Sequence, residues 1–247
     1  MTLRELYASH QGKVSDKWAL YLDVYDRWFS PWRDRELTLV EVGVQNGGSL
    51  EIWSRYFARA RRLVGCDIDP RCGALRYDDP RVSVVVGPVN SEPAHRAIIE
   101  RTGPAIDIFI DDGSHRSPDI IASFCNYFRH VSPGGLYVIE DLHCSYFPHW
   151  NGGVDRADSS MAFLKSLADV VNRAHWTGQR GLESVFAPFF PPEVRIDPRI
   201  LEDVFTVTFA DSVCIVEKRA AAAPAGLGER IVAGTEASVR PEVLALG

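Results

Sequence analysis

The sequence lacks any apolar run near the roughly 20 residues that a membrane-spanning helix needs. Its N-terminus, MTLRELYASHQGK, carries charges where a signal peptide has an apolar core. Basic residues are outnumbered, with 27 Lys and Arg against 33 Asp and Glu and a formal net charge of -6. Since phosphate binding usually needs a basic face, we expect neither a nucleic acid nor a membrane as a partner.

Cysteine is also scarce, and no two of the five cysteines have the short spacing of a zinc or redox motif. Cys66 and Cys214 lie in apolar stretches, where a thiol behaves as a small buried hydrophobe. Reduced thiols are typical of the cytoplasm, so we expect a cytoplasmic protein. The five are Cys66, Cys72, Cys125, Cys144 and Cys214.

Short apolar stretches alternate with amphipathic ones through the middle of the sequence, which predicts strands and helices in turn. The predicted strands are 37–44, 61–68, 82–87, 106–112 and 136–142. Helices are predicted between them at 49–57, 70–76, 93–101 and 118–131, the last ended by a Pro133-Gly134-Gly135 turn. Such alternation is typical of a parallel sheet covered on both faces, so we predict an α/β fold.

Two further apolar stretches, 204–209 and 213–218, are separated by only three residues and predict an antiparallel hairpin. We therefore predict a mostly parallel seven-stranded sheet with a C-terminal antiparallel hairpin. The predicted domain is 37–218, preceded by a helical segment, 1–36. The tail, 219–247, is predicted to be flexible or to be an oligomer arm.

The region 143–200 is rich in glycine, proline and aromatic residues, with one helix predicted at 161–173. We interpret it as a cap insert within the domain. Its aromatic residues either cover an acceptor or pack in the core or a subunit interface. They are Tyr146, Phe147, Trp150, Trp176, Phe186, Phe189 and Phe190.

A glycine loop follows the first predicted strand, in the segment Glu41-Val-Gly43-Val-Gln45-Asn46-Gly47. Glycine lets the backbone approach a ligand closely, and the helix N-terminus that follows offers free amides to a carboxylate. The spacing is not the three-glycine dinucleotide pattern; it resembles the acid-x-Gly-x-x-x-Gly loop of class I S-adenosylmethionine (SAM) methyltransferases. A simple tight turn is the alternative. The predicted cofactor contacts here are Glu41, Gly43, Gln45, Asn46, Gly47 and Ser49.

An acid at the end of the second strand can accept hydrogen bonds from both ribose hydroxyls of a nucleoside cofactor. Asp67 has this position, and Asp69 is the competing candidate. The alternative role for either is a helix N-cap or a solvated turn. We also predict Asp111 and Asn90 as cofactor-binding residues, Asn90 toward the adenine.

Acidic residues follow the fourth and fifth strands, in Asp111-Asp112-Gly113-Ser114-His115 and Glu140-Asp141-Leu142-His143. Neighbouring parallel strands end at one edge, about 4.8 Å apart, so these carboxylates converge. Converging carboxylates repel unless a cation lies between them, and oxygen ligands select a hard ion such as Mg²⁺. The predicted metal ligands are Asp112, Glu140 and Asp141. The alternative is that one acid caps a helix and the others are solvated.

A histidine beside this group suits proton removal, because its usual pKa of about 6.5 lies near neutrality. His115 is the predicted general base, with a structural hydrogen bond as its alternative role. His143 is a weaker candidate for the same role. The predicted catalytic residues are thus His115, Asp112 and His143.

With these motifs the sequence resembles the macrocin, mycinamicin and rhamnosyl sugar O-methyltransferases and the family named after cephalosporin hydroxylase. The matching segments span roughly residues 3 to 218. They are VSDKW (14–18), LVEVGVQNGGSLEIW (39–53), LVGCDIDP (63–70), DIFIDDGSH (107–115), GGLYVIEDLHCSY (134–146) and VTFADSVCIVEK (207–218).

The resemblance implies a Rossmann-like class I methyltransferase fold, SAM as methyl donor, Mg²⁺ held by Asp112, Glu140 and Asp141, and His115 as base. It further implies a sugar or glycosylated natural product as acceptor, and a homo-oligomer. Two departures stand out. Pro88 follows Gly87 where the family commonly has an acid, and Trp18 replaces the usual small residue after Asp-Lys.

Two other functions stay open. A catechol-type O-methyltransferase would use the same metal chemistry on an aromatic diol. A SAM-binding subunit without transferase activity would use the cofactor loop alone, although it would have no need for the acids and His115. An NAD-dependent oxidoreductase is disfavoured by the loop spacing.

Overall fold

The computed structural model describes residues 1–178, 181–190, 197–223 and 226–242, and within them seven strands form one sheet. The sheet order is β3-β2-β1-β4-β5-β7-β6. Strands β1 to β5 pair in parallel, whereas β7 pairs antiparallel with β5 and with β6. The predicted fold class is confirmed. The strands are β1 (Thr38–Val42), β2 (Arg62–Asp67), β3 (Val82–Val86), β4 (Ile106–Asp111), β5 (Val131–Ile139), β6 (Val204–Ala210) and β7 (Val213–Lys218).

Helices cover both faces of the sheet. They are α1 (Leu3–Ala8), α2 (Ala19–Phe29), α3 (Gly48–Tyr56), α4 (Glu92–Thr102), α5 (Ser117–Tyr127), α6 (Ser160–Val171) and α7 (Leu182–Phe186). The predicted helix at 70–76 is a shorter 3-10 helix, Pro70–Ala74. None of the helices within the described ranges has the length and apolar character that crossing a membrane requires.

The Pro133-Gly134-Gly135 segment differs from the prediction. Helix α5 ends at Tyr127, and strand β5 already begins at Val131, so the segment lies inside a strand. The pairing with β4 is irregular here, since Ile106 is opposite Val131 but Ile108 is opposite Leu136. The predicted turn was wrong because a bulge in a strand also requires a glycine such as Gly134, whose φ is 80°.

Alternate residues along each strand enter two separate cores, because successive side chains in a strand point to opposite faces. Val40 and Phe109 belong to the core beneath α4, α5 and α6. Leu39 and Ile108 belong to the core beneath α1, α2 and α3. Since both faces are buried, the strands have the continuous apolar runs that the sequence shows.

Part of the predicted cap region, 143–200, belongs to the main core. Helix α6 buries Phe163 and Leu167 completely, and Phe186 of α7 packs edge-on against Phe163 with ring centroids 5.5 Å apart. By contrast, Tyr146 and Phe147 are 44% and 46% exposed. The aromatic residues of this region therefore divide into a core set and a surface set.

His130, just before β5, is a buried histidine through which burial can make the free energy of unfolding depend on pH. Among the described residues its Nε2 is buried without a hydrogen-bond partner, and its ring lies 5.2 Å from that of His95. Burial, together with repulsion from His95, Arg129 and Lys218, lowers the pKa of His130 to about 4. The unfolded chain therefore binds a proton on this residue at a higher pH than the folded chain does.

We expect the free energy of unfolding to fall as pH decreases from about 6.5 toward 4, and His130→Phe to make this decline shallower. Phenylalanine keeps a ring against His95 but binds no proton. Urea denaturation of both proteins at several pH values measures the slopes. Parallel curves would show that His130 contributes nothing to the acid sensitivity.

Candidate active site

A cavity of about 710 Å³ opens at the carboxyl ends of β1, β2, β4 and β5. In open α/β sheets ligands bind at this edge, where the strand order reverses. Here the reversal lies between β1 and β4. The lining residues are Val14 to Trp18, Tyr21, Gly43 to Asn46, Ser49, Asp67, Asp69, Arg71, Cys72, Leu75, Asp112, Gly113, His115, Glu140 and Asp141.

The loop after β1 depends on glycine at Gly43. The φ of Gly43 is 92°, and a Cβ at this position would lie 2.0 Å from the carbonyl oxygen of Asp112. The backbone amide of Gly43 also donates to the Cys66 carbonyl at 2.9 Å. Glycine thus lets the β1 loop pass directly against the end of β4.

Asp67 holds the same loop from the other side. Its Oδ2 accepts hydrogen bonds from the backbone amides of Val44 and Gln45, both at 2.8 Å, and its Oδ1 accepts from the Asp69 amide at 2.8 Å. The carboxylate of Asp69 instead pairs with Arg71. Both acids line the cavity, and Asp67 is the one bonded to the cofactor-type loop.

Glu41 lies beneath this loop and does not line the cavity. Its carboxylate is completely buried and accepts from Ser49 Oγ at 2.6 Å and from Trp53 Nε1 at 3.1 Å. It therefore joins β1 to the first turns of α3. Of the predicted cofactor contacts in this segment, Gly43, Gln45, Asn46 and Ser49 line the cavity, and Gly47 lies just behind it.

Asp112, His115 and Asp141 converge across the ends of β4 and β5. Each offers one ligand atom, and these atoms all lie within 4.8 Å of one another. His115 and Asp141 have φ values of 56° and 53°, the left-handed region that non-glycine residues rarely adopt. Such strain collects at functional sites, where it directs side chains toward a ligand.

Glu140, the third predicted metal ligand, has other partners. Its carboxylate is 1% exposed and accepts from Lys17 Nζ at 2.7 Å and 2.8 Å and from the Tyr25 hydroxyl. The Lys17 ammonium also contacts Asp112. Lys17 thus lies between Glu140 and Asp112, and Glu140 is not among the three residues whose ligand atoms converge.

Burial disfavours the charged forms of these carboxyl groups, although Lys17 lies beside them. Burial raises the pKa of Glu140 to about 8, and repulsion from Asp112 adds to the rise although Lys17 opposes it. Burial also raises the pKa of Asp112. Burial alone would lower the pKa of Lys17, but Glu140, Asp112 and Glu41 raise it well above its usual range. A further cation would therefore stabilise the group.

The two candidate bases have different surroundings. His115 lines the cavity, and its Nε2 lies 3.7 Å from Asp141 Oδ2. His143 lies outside the cavity lining, and its Nδ1 is 2.6 Å from Ser212 Oγ. Its ring also packs edge-on against Trp18. His115 is thus better placed to reach a bound acceptor.

Two other predicted residues lie away from the cavity lining. The Asn90 side-chain amide donates to the Asp119 carbonyl at 3.0 Å and accepts from Asn126 at 3.0 Å. It therefore joins the segment before α4 to α5. Asp111 is buried beneath the site with Tyr137, and burial raises its pKa to about 7. Both connect secondary structure elements.

Sequence reasoning missed Lys17, Tyr21 and Tyr25. Tyr21 lies 2.6 Å from Asp141 Oδ1 and 2.9 Å from Ser212 Oγ. The sequence contained one signal for the two tyrosines, because Tyr21 and Tyr25 are four residues apart and so share one face of a helix. A second was the VSDKW match, which contains Lys17.

The fold and this site together define a Rossmann-like methyltransferase domain. A family model for "Methyltransferase domain" matches residues 40–142. The rhamnosyl tetracenomycin-C 2'-O-methyltransferase of Streptomyces olivaceus is 36% identical over 223 residues, which cover 86% of this chain and 54% of that protein. Mycinamicin VI 2''-O-methyltransferase of Micromonospora griseorubida is 37% identical over 157 residues, covering 60% and 38%.

A solved structure, the MycE methyltransferase from the mycinamycin biosynthetic pathway in complex with Mg and SAH, superposes with a TM-score of 0.72. It is 29% identical, and the match covers 89% of this chain and 54% of that one. The chain therefore contains a methyltransferase domain similar to those of the macrocin, mycinamicin and rhamnosyl tetracenomycin O-methyltransferases. It spans about half the length of the first of these curated relatives and less of the others.

Gly43→Ala tests the close contact between the β1 loop and β4. We compare it with Gly103→Ala, where φ is 75° but no atom lies within 4 Å of the added Cβ. Positive φ alone costs an alanine about 1–3 kcal/mol at either position. Overlap with the Asp112 carbonyl adds about 1–3 kcal/mol at Gly43 only. Equal losses in urea denaturation would contradict the role assigned to this contact.

Proposed function

We propose that this chain binds SAM and Mg²⁺ and transfers a methyl group to a hydroxyl of a sugar that is attached to a natural product. One observation carries the proposal: the glycine loop, Asp67 and the carboxylate group line a single cavity. A nucleoside cofactor and a metal-bound acceptor would thus be neighbours. Positioning two reactants in this way is a large part of the rate enhancement of a transfer enzyme.

The residues around the β1 loop fit the cofactor. The backbone amides near the N-terminus of α3 suit the carboxylate of SAM. Asp67 lines the cavity at the end of β2, where an acid suits ribose hydroxyls. The fold similarity to MycE, whose solved complex contains SAH, supports SAM as the donor.

The carboxylate group fits a hard divalent cation. Asp112 and Asp141 supply oxygen ligands within 4.8 Å of each other, and carboxylate oxygens are the ligands that such an ion prefers. We propose Asp112, Asp141 and Glu140 as the residues that hold Mg²⁺. When bound, such an ion orients a hydroxyl and lowers its pKa.

His115 would accept the proton from the acceptor hydroxyl. Its ring lines the cavity beside Asp141, and that carboxylate would stabilise the protonated imidazole. Trp150 packs edge-on against the other side of the ring at 5.8 Å and limits its orientation. His143 would support Asp141 through Ser212 and Tyr21 rather than contact the acceptor.

An aromatic rim supports a bulky acceptor. We define this rim by six rings in contact order, and their successive centroids are 6.5, 6.4, 6.1, 5.1 and 5.8 Å apart. The six rings are those of Trp18, His143, Phe147, His149, Trp150 and His115. Both ends of the rim, Trp18 and His115, line the cavity.

The charge of the cavity supports a natural product as the carrier of the sugar. Six carboxylates and two basic side chains line it. This excess disfavours the diphosphate of a nucleotide-activated sugar, whereas exposed aromatic faces suit an apolar body. The names of the relatives agree, since they describe acceptors such as rhamnosyl tetracenomycin and mycinamicin. A homo-oligomer and a cytoplasmic location stay predictions.

We expect Asp112→Asn and Asp141→Asn to abolish turnover while SAM affinity stays within about threefold, because the metal and cofactor contacts are separate. Asp67→Asn should instead weaken SAM by about tenfold or more, since charge-assisted hydrogen bonds are lost. Isothermal titration of SAM, first with Mg²⁺ and then with EDTA, measures the SAM affinity of both sets of variants. Asp69→Asn is the comparison.

A loss of SAM affinity in the Asp112 and Asp141 variants would show that these acids bind the cofactor. A loss in Asp69→Asn but not Asp67→Asn would move the ribose contact to Asp69. SAM binding without metal-dependent methylation of any sugar would favour an aromatic diol or a non-catalytic role. Absence of SAM binding would refute the proposal.

Phe147→Ala tests the rim. We expect KM for a glycosylated acceptor to rise about tenfold with little change in kcat, because burial of an aromatic face contributes about 1–2 kcal/mol. Phe209→Ala is the control, since Phe209 on β6 is 42% exposed against 46% for Phe147. Equal effects of the two substitutions, or an unchanged KM, would contradict acceptor binding at the rim.

A further inference from the structure

The Lys17 ammonium lies at the centre of the carboxylate group. It is bonded to both oxygens of Glu140, at 2.7 Å and 2.8 Å, and to Asp112 Oδ2, and it lies 3.8 Å from Glu41. Its side chain is only 4% exposed. A buried lysine among three carboxylates is an internal counter-cation for them.

Lys17 belongs to a segment, residues 13–18, in which residues 14–18 form one wall of the cofactor cavity. The segment is fixed at its other end, where Lys13 bonds Glu51 through its backbone amide at 2.8 Å and its ammonium at 2.5 Å. The Val14 carbonyl also accepts from the Gly48 amide at 3.1 Å, at the start of α3. Movement of Lys17 would therefore be transmitted to the cavity wall.

Oε1 of Glu140 accepts from Lys17 and from Tyr25, and Oε2 accepts from Lys17, so a divalent ion that binds Glu140 would lie close to the ammonium. A divalent ion has twice the charge of an ammonium and interacts more strongly with the same carboxylates. Two cations so close also repel each other. The lysine and the ion cannot both keep their best contacts.

We propose that Lys17 competes with the divalent cation for Glu140 and Asp112, so that cation binding draws Lys17 out of the carboxylate group and moves the adjoining part of the wall, residues 15–18. This inference rests on the metal site of the proposed function. It assigns a positioning role to a residue on the N-terminal segment and couples metal binding to the shape of the cofactor cavity.

Mn²⁺ affinity, measured by electron paramagnetic resonance without SAM, tests the competition. Lys17→Met removes the competing charge, so we expect Mn²⁺ to bind about tenfold more tightly or better. Lys13→Met is the matched control. It removes one ammonium from the same segment, but that ammonium pairs with Glu51, outside the carboxylate group. We expect its Mn²⁺ affinity to match that of the wild type.

The wild-type protein provides a second test that needs no substitution. The chain has four lysines, Lys13, Lys17, Lys165 and Lys218. Acylation by N-hydroxysuccinimidyl acetate, quantified by mass spectrometry, reports the accessibility of each amine. We expect Lys17 to be protected in EDTA and to be labelled several times faster with Mn²⁺. Exposed Lys165 corrects for reagent activity, and Lys13 should be unaffected by the metal.

Tighter Mn²⁺ binding by Lys17→Met together with metal-dependent labelling of Lys17 would support the proposal. Equal affinities, with Lys17 protected in both conditions, would overturn it and leave the metal site intact. Weaker binding by Lys17→Met would also overturn it, since Lys17 would then support the ligands. A lack of Mn²⁺ binding by every variant would overturn the metal site itself, and the competition with it.

Discussion

The burial of several carboxylates at one edge of the sheet is the constraint on which the rest of the structure depends. Glu41, Asp112 and Glu140 lie at or near the ends of three adjacent strands; Glu41 and Glu140 are buried, and each would be costly to bury without a partner. Lys17 and Tyr25 supply partners from the N-terminal segment, and Ser49 and Trp53 supply them from α3. The N-terminal helices are therefore part of the site.

The backbone shows the same dependence. Gln45, His115 and Asp141 line the cavity with positive φ, a conformation that costs a non-glycine residue about 1–2 kcal/mol. Hydrogen bonds hold two of them, because Asp67 accepts from the Gln45 amide and Tyr21 accepts from the Asp141 amide. Stability is thus reduced at the residues that face a ligand, and the surrounding core offsets the loss.

The sequence predicted what local pattern determines. The strands, and their alternation with helices, follow from the apolar runs. The acids after β4 and β5 converge because parallel strands end at one edge. Lys17 could not be found in this way, since Asp112 and Glu140 lie 95 and 123 residues further along the chain. The Pro133-Gly134-Gly135 bulge was missed because a helix stop and a strand bulge use the same residues.

The aromatic residues after β5 divide between the core and the surface. Phe163 and Phe186 are completely buried under the sheet, whereas Phe147 is exposed beside the cavity. Substitutions in the buried set would change packing, since cores respond to single methylene groups. Substitutions in the rim would change only what the protein can contact. The rim can therefore be altered without disturbing the buried carboxylates and their lysine, as surface segments on a rigid scaffold allow.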